Sequence, residues 1–294
     1  MELNDIVMKN FESYADVAAD IVNALLHEGT VVVTGEEMLT AATESLYADS
    51  TNTLHNQLED VAKYHVTGGM PRALFLFANQ TKVDKGMILR KAGYIGGEYR
   101  RQYEKQNHVL YPVIELVLYW GTTRWKGCCN LRQLIDGGKG KIVETTWKYV
   151  DDMQLHVWEM RYLPKEIRER FHSDMRIVLD YLAEGNAYRS DRKVIHKEAT
   201  IKMLRVLSGD KNVDDTEEIL KALDIAEEDE ISMCELFDQY TRRGISQGIS
   251  QGISKGIIIM CKDFNATYED TLQKLKNKLN ISEKEAEEQM KLYW

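Results

Sequence analysis

Asp60, Gln80, Lys82, Lys85 and Arg90 are the residues whose types and spacing could do chemistry together. Strand side chains alternate with period two. In a strand read over 58–65, Asp60 shares a face with Leu58, Ala62 and Tyr64; in one read over 73–80, Ala78 and Gln80 share a face with Leu74 and Leu76. The glycine-rich stretch Gly68-Gly69-Met70-Pro71 reads as a hairpin connection between them. An acid in one strand, facing a carboxamide at the end of its hairpin neighbour, is an odd arrangement for a core; a solvated strand residue is the alternative for Asp60. Met87, Arg90 and Tyr94 follow at i, i+3 and i+7, on one face of a helix. Packing on a sheet accounts for Met87 and Tyr94. Arg90 suits a phosphate contact, because a guanidinium binds phosphate oxygens bidentately. Lys82 and Lys85, in the turn after Gln80, stand near the same cleft. The chemistry in view is the handling of a phosphate.

The elements that must hold these groups form an α/β pattern. Residues 2–27 read as one amphipathic helix, with Phe11, Tyr14, Val17, Ala18, Ile21, Val22, Leu25 and Leu26 at helical spacing and Gly29 as the stop. Short strands are expected at 30–34, 58–65 and 73–80, a helix over 84–106 and a long strand over 111–120. Further strands are expected at 141–150 and 154–162, and helices from Pro164 onward. The order through residue 120 is α-β-β-β-α-β. A small mixed sheet built this way can bring polar groups from adjacent strands into one cleft.

Composition narrows the setting. The 294 residues are 44% hydrophobic and 29% charged, enough for one large domain or a domain with an appendage. Four cysteines, two of them adjacent (Cys128, Cys129), form no CxxC pair, so neither a disulfide framework nor a zinc cage is implied. The start of the chain lacks the basic character of a signal peptide, and the longest apolar runs fall far short of a membrane span. A soluble, cytoplasmic protein is expected. The net charge of −9 is unevenly spread: 210–238 holds twelve acids and two lysines, or −10, which leaves the remainder at −9 + 10 = +1. Residues 82–105 carry seven bases against three acids, and 189–205 carry six against two. Solvated helix faces are one reading of the basic runs; a phosphate-contacting surface, with the acidic segment as its shield, is the other.

The run Glu59-Asp60-Val61-Ala62-Lys63, then Phe77-Ala78-Asn79-Gln80-Thr81, then Met87, Arg90 and Tyr94, resembles the recombination-promoting nuclease (Rpn) / putative transposase family of the PD-(D/E)XK superfamily. The likeness continues through Tyr111-Pro112-Val113-Ile114, Leu118-Tyr119-Trp120-Gly121, Arg124-Trp125, Phe171-His172-Ser173-Asp174 and the Gly-Ile repeats. It implies a restriction-endonuclease-like mixed sheet core (αβββαβ) over 1–185, a helical, acidic connecting region over 186–240 and a helical oligomerisation module over 241–294. It also implies cleavage of DNA phosphodiesters with Mg²⁺, or with Mn²⁺ or Ca²⁺, in recombination, mobile-element biology or phage defence. Carried over residue by residue, Asp60 is the metal-binding aspartate, Gln80 positions the water, and Asp20 is the first-helix acid that completes the metal site; capping or solvation is the other reading of Asp20. Lys82, Lys85 and Arg90 would face DNA phosphates. The departure is at Ala78, where the family carries the essential metal-binding glutamate. A methyl group cannot ligate Mg²⁺. Natural loss of catalysis and a deliberate Glu-to-Ala substitution both explain it, and the intact surroundings favour the second. A non-catalytic DNA-binding or oligomeric scaffold with a degenerate nuclease fold is the alternative function.

Near the C-terminus, Gly244, Gly248, Gly252 and Gly256 are each followed by isoleucine (Ile245, Ile249, Ile253, Ile257). A flexible linker is one reading. On a helix, however, the isoleucines form an i±4 ridge beside a groove of glycines, suited to a second helix crossing closely. Ile245, Gly248, Ile249, Gly252 and Ile253 are therefore expected to make a homo-oligomer, a dimer through the C-terminal helices. Ser282-Glu283-Lys284-Glu285 fits a capping box. An internal start at Met233 could release this tail as a short inhibitor of the full chain.

Overall fold

A computed structural model describes residues 3–41, 44–48, 54–58, 60–104, 109–136, 143–185, 188–210, 213, 215–226, 229–236, 238–239, 254–262, 267–279 and 281–294. Two helices, α1 (Leu3–Ser13) and α2 (Ala15–Leu26), precede a short strand β1 (Met38–Thr40) and a separate two-stranded hairpin of β2 (Glu44–Ala48) and β3 (Leu54–Leu58). Then come β4 (Val61–Thr67), β5 (Met70–Gln80), the crossover helix α3 (Met87–Glu104) and β6 (Val113–Tyr119). A short β7 (Val157–Glu159) completes a five-stranded sheet of order β1-β4-β5-β6-β7. The β1-β4-β5 half is antiparallel and the β5-β6-β7 half parallel. With the separate β2–β3 pair left out and α1 and α2 taken together, the main sheet follows the expected α-β-β-β-α-β order, its first strand being β1 and not residues 30–34, in an α/β nuclease-like fold. After the short helices α4 (Leu131–Asp136) and α5 (Lys165–Arg168), helices α6 (Asp174–Glu184), α7 (Lys197–Leu207) and α8 (Thr216–Ala222) lead the helical second half.

The hairpin forms where it was expected. Thr67 pairs with Met70, leaving Gly68 and Gly69 as a two-residue turn with φ of 62° and 75°, the left-handed backbone that primed hairpin turns require. β5 is buried on both faces, which explains its nearly unbroken apolar run. Val61, Phe75, Phe77, Leu116, Leu118 and Trp120 join α1, α2, α6 and α7 in the principal core. On the other face Ala62, Leu74 and Leu76 meet Tyr94 and Tyr111, and Ala78 and Val117 meet Met87 and Ile88 of α3.

Several expected elements differ. The first helix breaks at Tyr14, whose extended backbone starts α2 and whose ring stacks on His196 at 3.7 Å. The carbonyl of Ser13, freed by that break, accepts from the buried Lys63 ammonium at 2.6 Å. Residues 30–34 are not a strand: the amides of Val32 and Val33 donate to the Asn23 side chain, whose Nδ2 returns a bond to the Val33 carbonyl. A side chain satisfies the backbone there, and pairing waits until Met38. Leu58 belongs to the small hairpin, so the strand after Asp60 begins only at Val61. Within 141–150 a 3₁₀ helix, Glu144–Tyr149, replaces the expected strand, and the one expected over 154–162 shrinks to β7 followed by a 3₁₀ turn.

The acidic segment is built into the fold. Val213, Leu220, Ile225, Ile231, Met233 and Leu236 all join the principal core, and Arg205 pairs with Asp210 at 2.7 Å and Asp215 at 2.6 Å. At the C-terminus, helical residues 254–262 and the helices Tyr268–Leu279 and Glu283–Tyr293 bury Ile258, Leu275, Ala286 and Met290 in a cluster of their own. Ser282 and Glu285 form the expected capping box. Ile245, Gly248, Ile249, Gly252 and Ile253 lie outside the described residues. Among the described residues no helix is long and apolar enough to cross a membrane.

Candidate active site

Asp60 stands at the bend leading into β4, one residue before Val61, which pairs with Phe77. Continuing that register brings Asp60 level with Ala78 on β5. Its Oδ2 accepts from the backbone N–H of Asn79 at 2.6 Å, and its Oδ1 faces Lys9 Nζ of α1 at 3.0 Å. Because the Asn79 nitrogen is bonded directly to the Ala78 carbonyl carbon, the carboxylate lies beside position 78, where the sequence reading expects a glutamate.

The Asn79 side chain points to the opposite face from Ala78. Its Nδ2 donates to Glu12 Oε2 at 2.6 Å, and its Oδ1 accepts from Trp120 Nε1 at 2.7 Å. One asparagine thus holds two acids, Asp60 through its backbone and Glu12 through its carboxamide. Glu12 is fully buried, and its Oε1 has no hydrogen-bond partner among the described residues. Burial pushes its pKa up to about 8; the bond from Asn79 opposes this, the Asp60 charge adds to it, and Lys9 opposes it. Near neutral pH Glu12 therefore keeps its proton; Asp60 is ion-paired with Lys9.

Glu12 is absent from the sequence reading, although a signal was there. It lies four residues after Met8 and directly after Phe11, so α1 turns an acid toward the face that buries those two side chains. Asp20, expected as the first-helix acid, is committed elsewhere. It accepts from the His172 N–H at 3.0 and 2.9 Å, from the Ser173 N–H at 2.8 Å and from the Ser173 hydroxyl at 2.6 Å. It anchors the entry to α6, which Ser173 caps, and shares no partner with Asp60 among the described residues.

Ala78 is fully buried, its methyl group among Met87, Ile88, Val117 and Leu155. Gln80 is half-buried at the end of β5, with its carbonyl accepting from Trp120 N at 2.7 Å. Lys82 and Lys85 are exposed just beyond it. Arg90 is half-buried and bonded to Asp84 at 3.1 Å, so its guanidinium is partly committed within the protein. Glu115 of β6, opposite Leu76 and on the Ala78 face, is a second buried acid that sequence reading passed over, though it is the one charge in the apolar run 111–120. Neither of its oxygens has a partner among the described residues. Burial pushes it up to about 7, opposed by Lys91 and Arg90.

A divalent cation wants several hard oxygens, and the donors here do not supply them. Asp60 already has an ammonium on one oxygen, Glu12 is protonated and position 78 brings a methyl group. Among the described residues no group of three histidine, cysteine or carboxylate side chains is arranged to hold a metal ion. As the chain stands, its residues do not fit the magnesium of a nuclease site.

Comparison with known proteins places the chain in a family. A family model described as a putative transposase, YhgA-like, matches residues 3–212, the span from α1 through α7 that holds every residue of this site. No curated protein and no solved structure matches the chain.

Proposed function

The chain belongs to the YhgA-like putative transposase family, the Rpn nucleases of the PD-(D/E)XK superfamily, and from that premise we propose that it is a metal-dependent DNA endonuclease in a catalytically silent form. The observation that carries the reading is the juxtaposition of Asp60 with Ala78 across β4 and β5, bonded through Asn79 and backed by the buried Glu12. Asp60 at the entry to β4 and Gln80 at the end of β5 then remain beside position 78, which lacks the carboxylate the reading requires. The exposed Lys82 and Lys85 lie directly after Gln80, where a DNA backbone approaching the end of β5 would meet them. The partner is DNA, and a dimer through the C-terminal helices would present two such sites.

The test is plasmid cleavage with Mg²⁺, comparing this chain with Ala78→Glu and with Ala78→Glu/Asp60→Ala. Nicking or linearisation should appear with glutamate and vanish again without Asp60. The Lys9–Asp60 ion pair favours a second reading, a DNA-binding protein that kept the fold and abandoned the metal. Absence of cleavage by all three proteins, with DNA still bound, would select it and overturn the first.

A further inference from the structure

We propose that Lys9 is the resident cation of the Asp60 site, its ammonium standing where a divalent metal would otherwise bind. The identity of the displaced ion rests on the nuclease reading above; the role of the lysine rests on geometry alone.

Three features support it. Lys9 Nζ lies 3.0 Å from Asp60 Oδ1, while the other oxygen of that carboxylate is fixed by the Asn79 N–H at 2.6 Å. The carboxylate is therefore oriented, with the amide on one oxygen and the ammonium on the other. The pair is also shielded, with side-chain exposures of 21% and 17%, so solvent screens it less than a surface ion pair. Finally, Lys9 and Glu12 are three residues apart on α1, so one helix face brings the cation to Asp60 and the second acid to Asn79.

Asp60 and Lys9 balance each other's charge without a metal. A divalent ion arriving at Asp60 must displace the ammonium or share one carboxylate with it, and two cations on one oxygen repel. The lysine stem is flexible and its ammonium is a compact charge, so it can swing aside. Lys9 thus competes with the metal and sets how much metal the site takes.

The experiment measures Mn²⁺ binding by calorimetry to the full chain. It uses the Ala78 and Ala78→Glu backgrounds, each with Lys9, Lys9→Met or Lys9→Arg. Removing the charge should tighten Mn²⁺ binding by on the order of tenfold or more in the Ala78→Glu background, where a second carboxylate is supplied, whereas arginine should keep it weak. Thermal melting reports whether the fold survives, and Lys9→Gln replaces the methionine variant if it does not. Equal Mn²⁺ affinity with lysine and methionine overturns the inference; if Ala78→Glu still binds Mn²⁺ and cleaves DNA, the nuclease reading stands without it. No Mn²⁺ binding by any variant overturns both. Loss of Ala78→Glu cleavage on Lys9→Met at unchanged Mn²⁺ affinity also overturns it, because the lysine would then act on the reaction and not on the ion.

Discussion

Replacing Glu12 by glutamine should stabilise the protein in alkali while changing it little in acid. The Glu12 carboxyl is fully buried, and burial carries its pKa from the ordinary 4.5 to about 8. Between those values the folded chain keeps a proton that the unfolded chain has released. Stability therefore falls as pH rises through the window, and the loss is complete above about 8. The interval from 4.5 to about 8, at about 1.4 kcal/mol per pH unit, sets a ceiling of about 5 kcal/mol. Relaxation around a buried charge brings the expected loss to roughly 2–3 kcal/mol. Glutamine keeps an oxygen for Asn79 Nδ2 and has no proton to lose. Its amide inherits the position of the unpartnered Oε1, at a cost of about 1 kcal/mol that does not vary with pH. Urea unfolding at pH 5, 7 and 9 separates the two effects: the difference between variant and parent should shift toward the variant by roughly 2–3 kcal/mol from pH 5 to pH 9. Glu115, also held high by burial, tilts both proteins alike and cancels from the comparison. Parallel pH profiles for the two proteins would refute the reasoning, because Glu12 would then be ionised in the folded state and open to water or a cation.

Much of the scaffold was legible in the sequence because its signals are local. Two glycines between apolar runs specify a two-residue hairpin, and alternation places Ala78 and Gln80 at the end of β5 whatever the rest of the chain does. The break at Tyr14 was not legible, since it depends on a ring from residue 196 and an ammonium from residue 63. The loop at 30–34 looks like a strand until the Asn23 side chain answers its amides. The site divides the same way. Asp60 leads directly into the strand beside Ala78, so motif and register agree, but the helical acid is chosen by how α1 and α2 lean on the sheet. That orientation gives Glu12 to Asn79 and Asp20 to Ser173, although Asp20 carries the better motif. Asn79 itself was visible only as a motif neighbour, because its function lies in three bonds made in space.

Asp20→Ala should cost roughly 2–4 kcal/mol in urea unfolding, because it strips acceptors from two backbone N–H groups and a hydroxyl at the start of α6. It should leave Mn²⁺ affinity and DNA cleavage in the Ala78→Glu background unchanged; a selective loss of metal binding would return Asp20 to the site. The acidic segment calls for a different perturbation from the obvious one. Deleting 210–238 would strip Leu220, Ile225, Ile231, Met233 and Leu236 from the principal core, and any gain in DNA binding could then come from unfolding. Glu218→Gln/Asp224→Asn/Glu230→Gln removes three charges from exposed positions and leaves those apolar side chains in place. If the acidic face repels DNA from a basic cleft, the triple variant should bind DNA at least about threefold more tightly at low salt, with the gain fading as salt screens it. Unchanged affinity at an unchanged melting temperature would show that this face does not shield the DNA-binding surface.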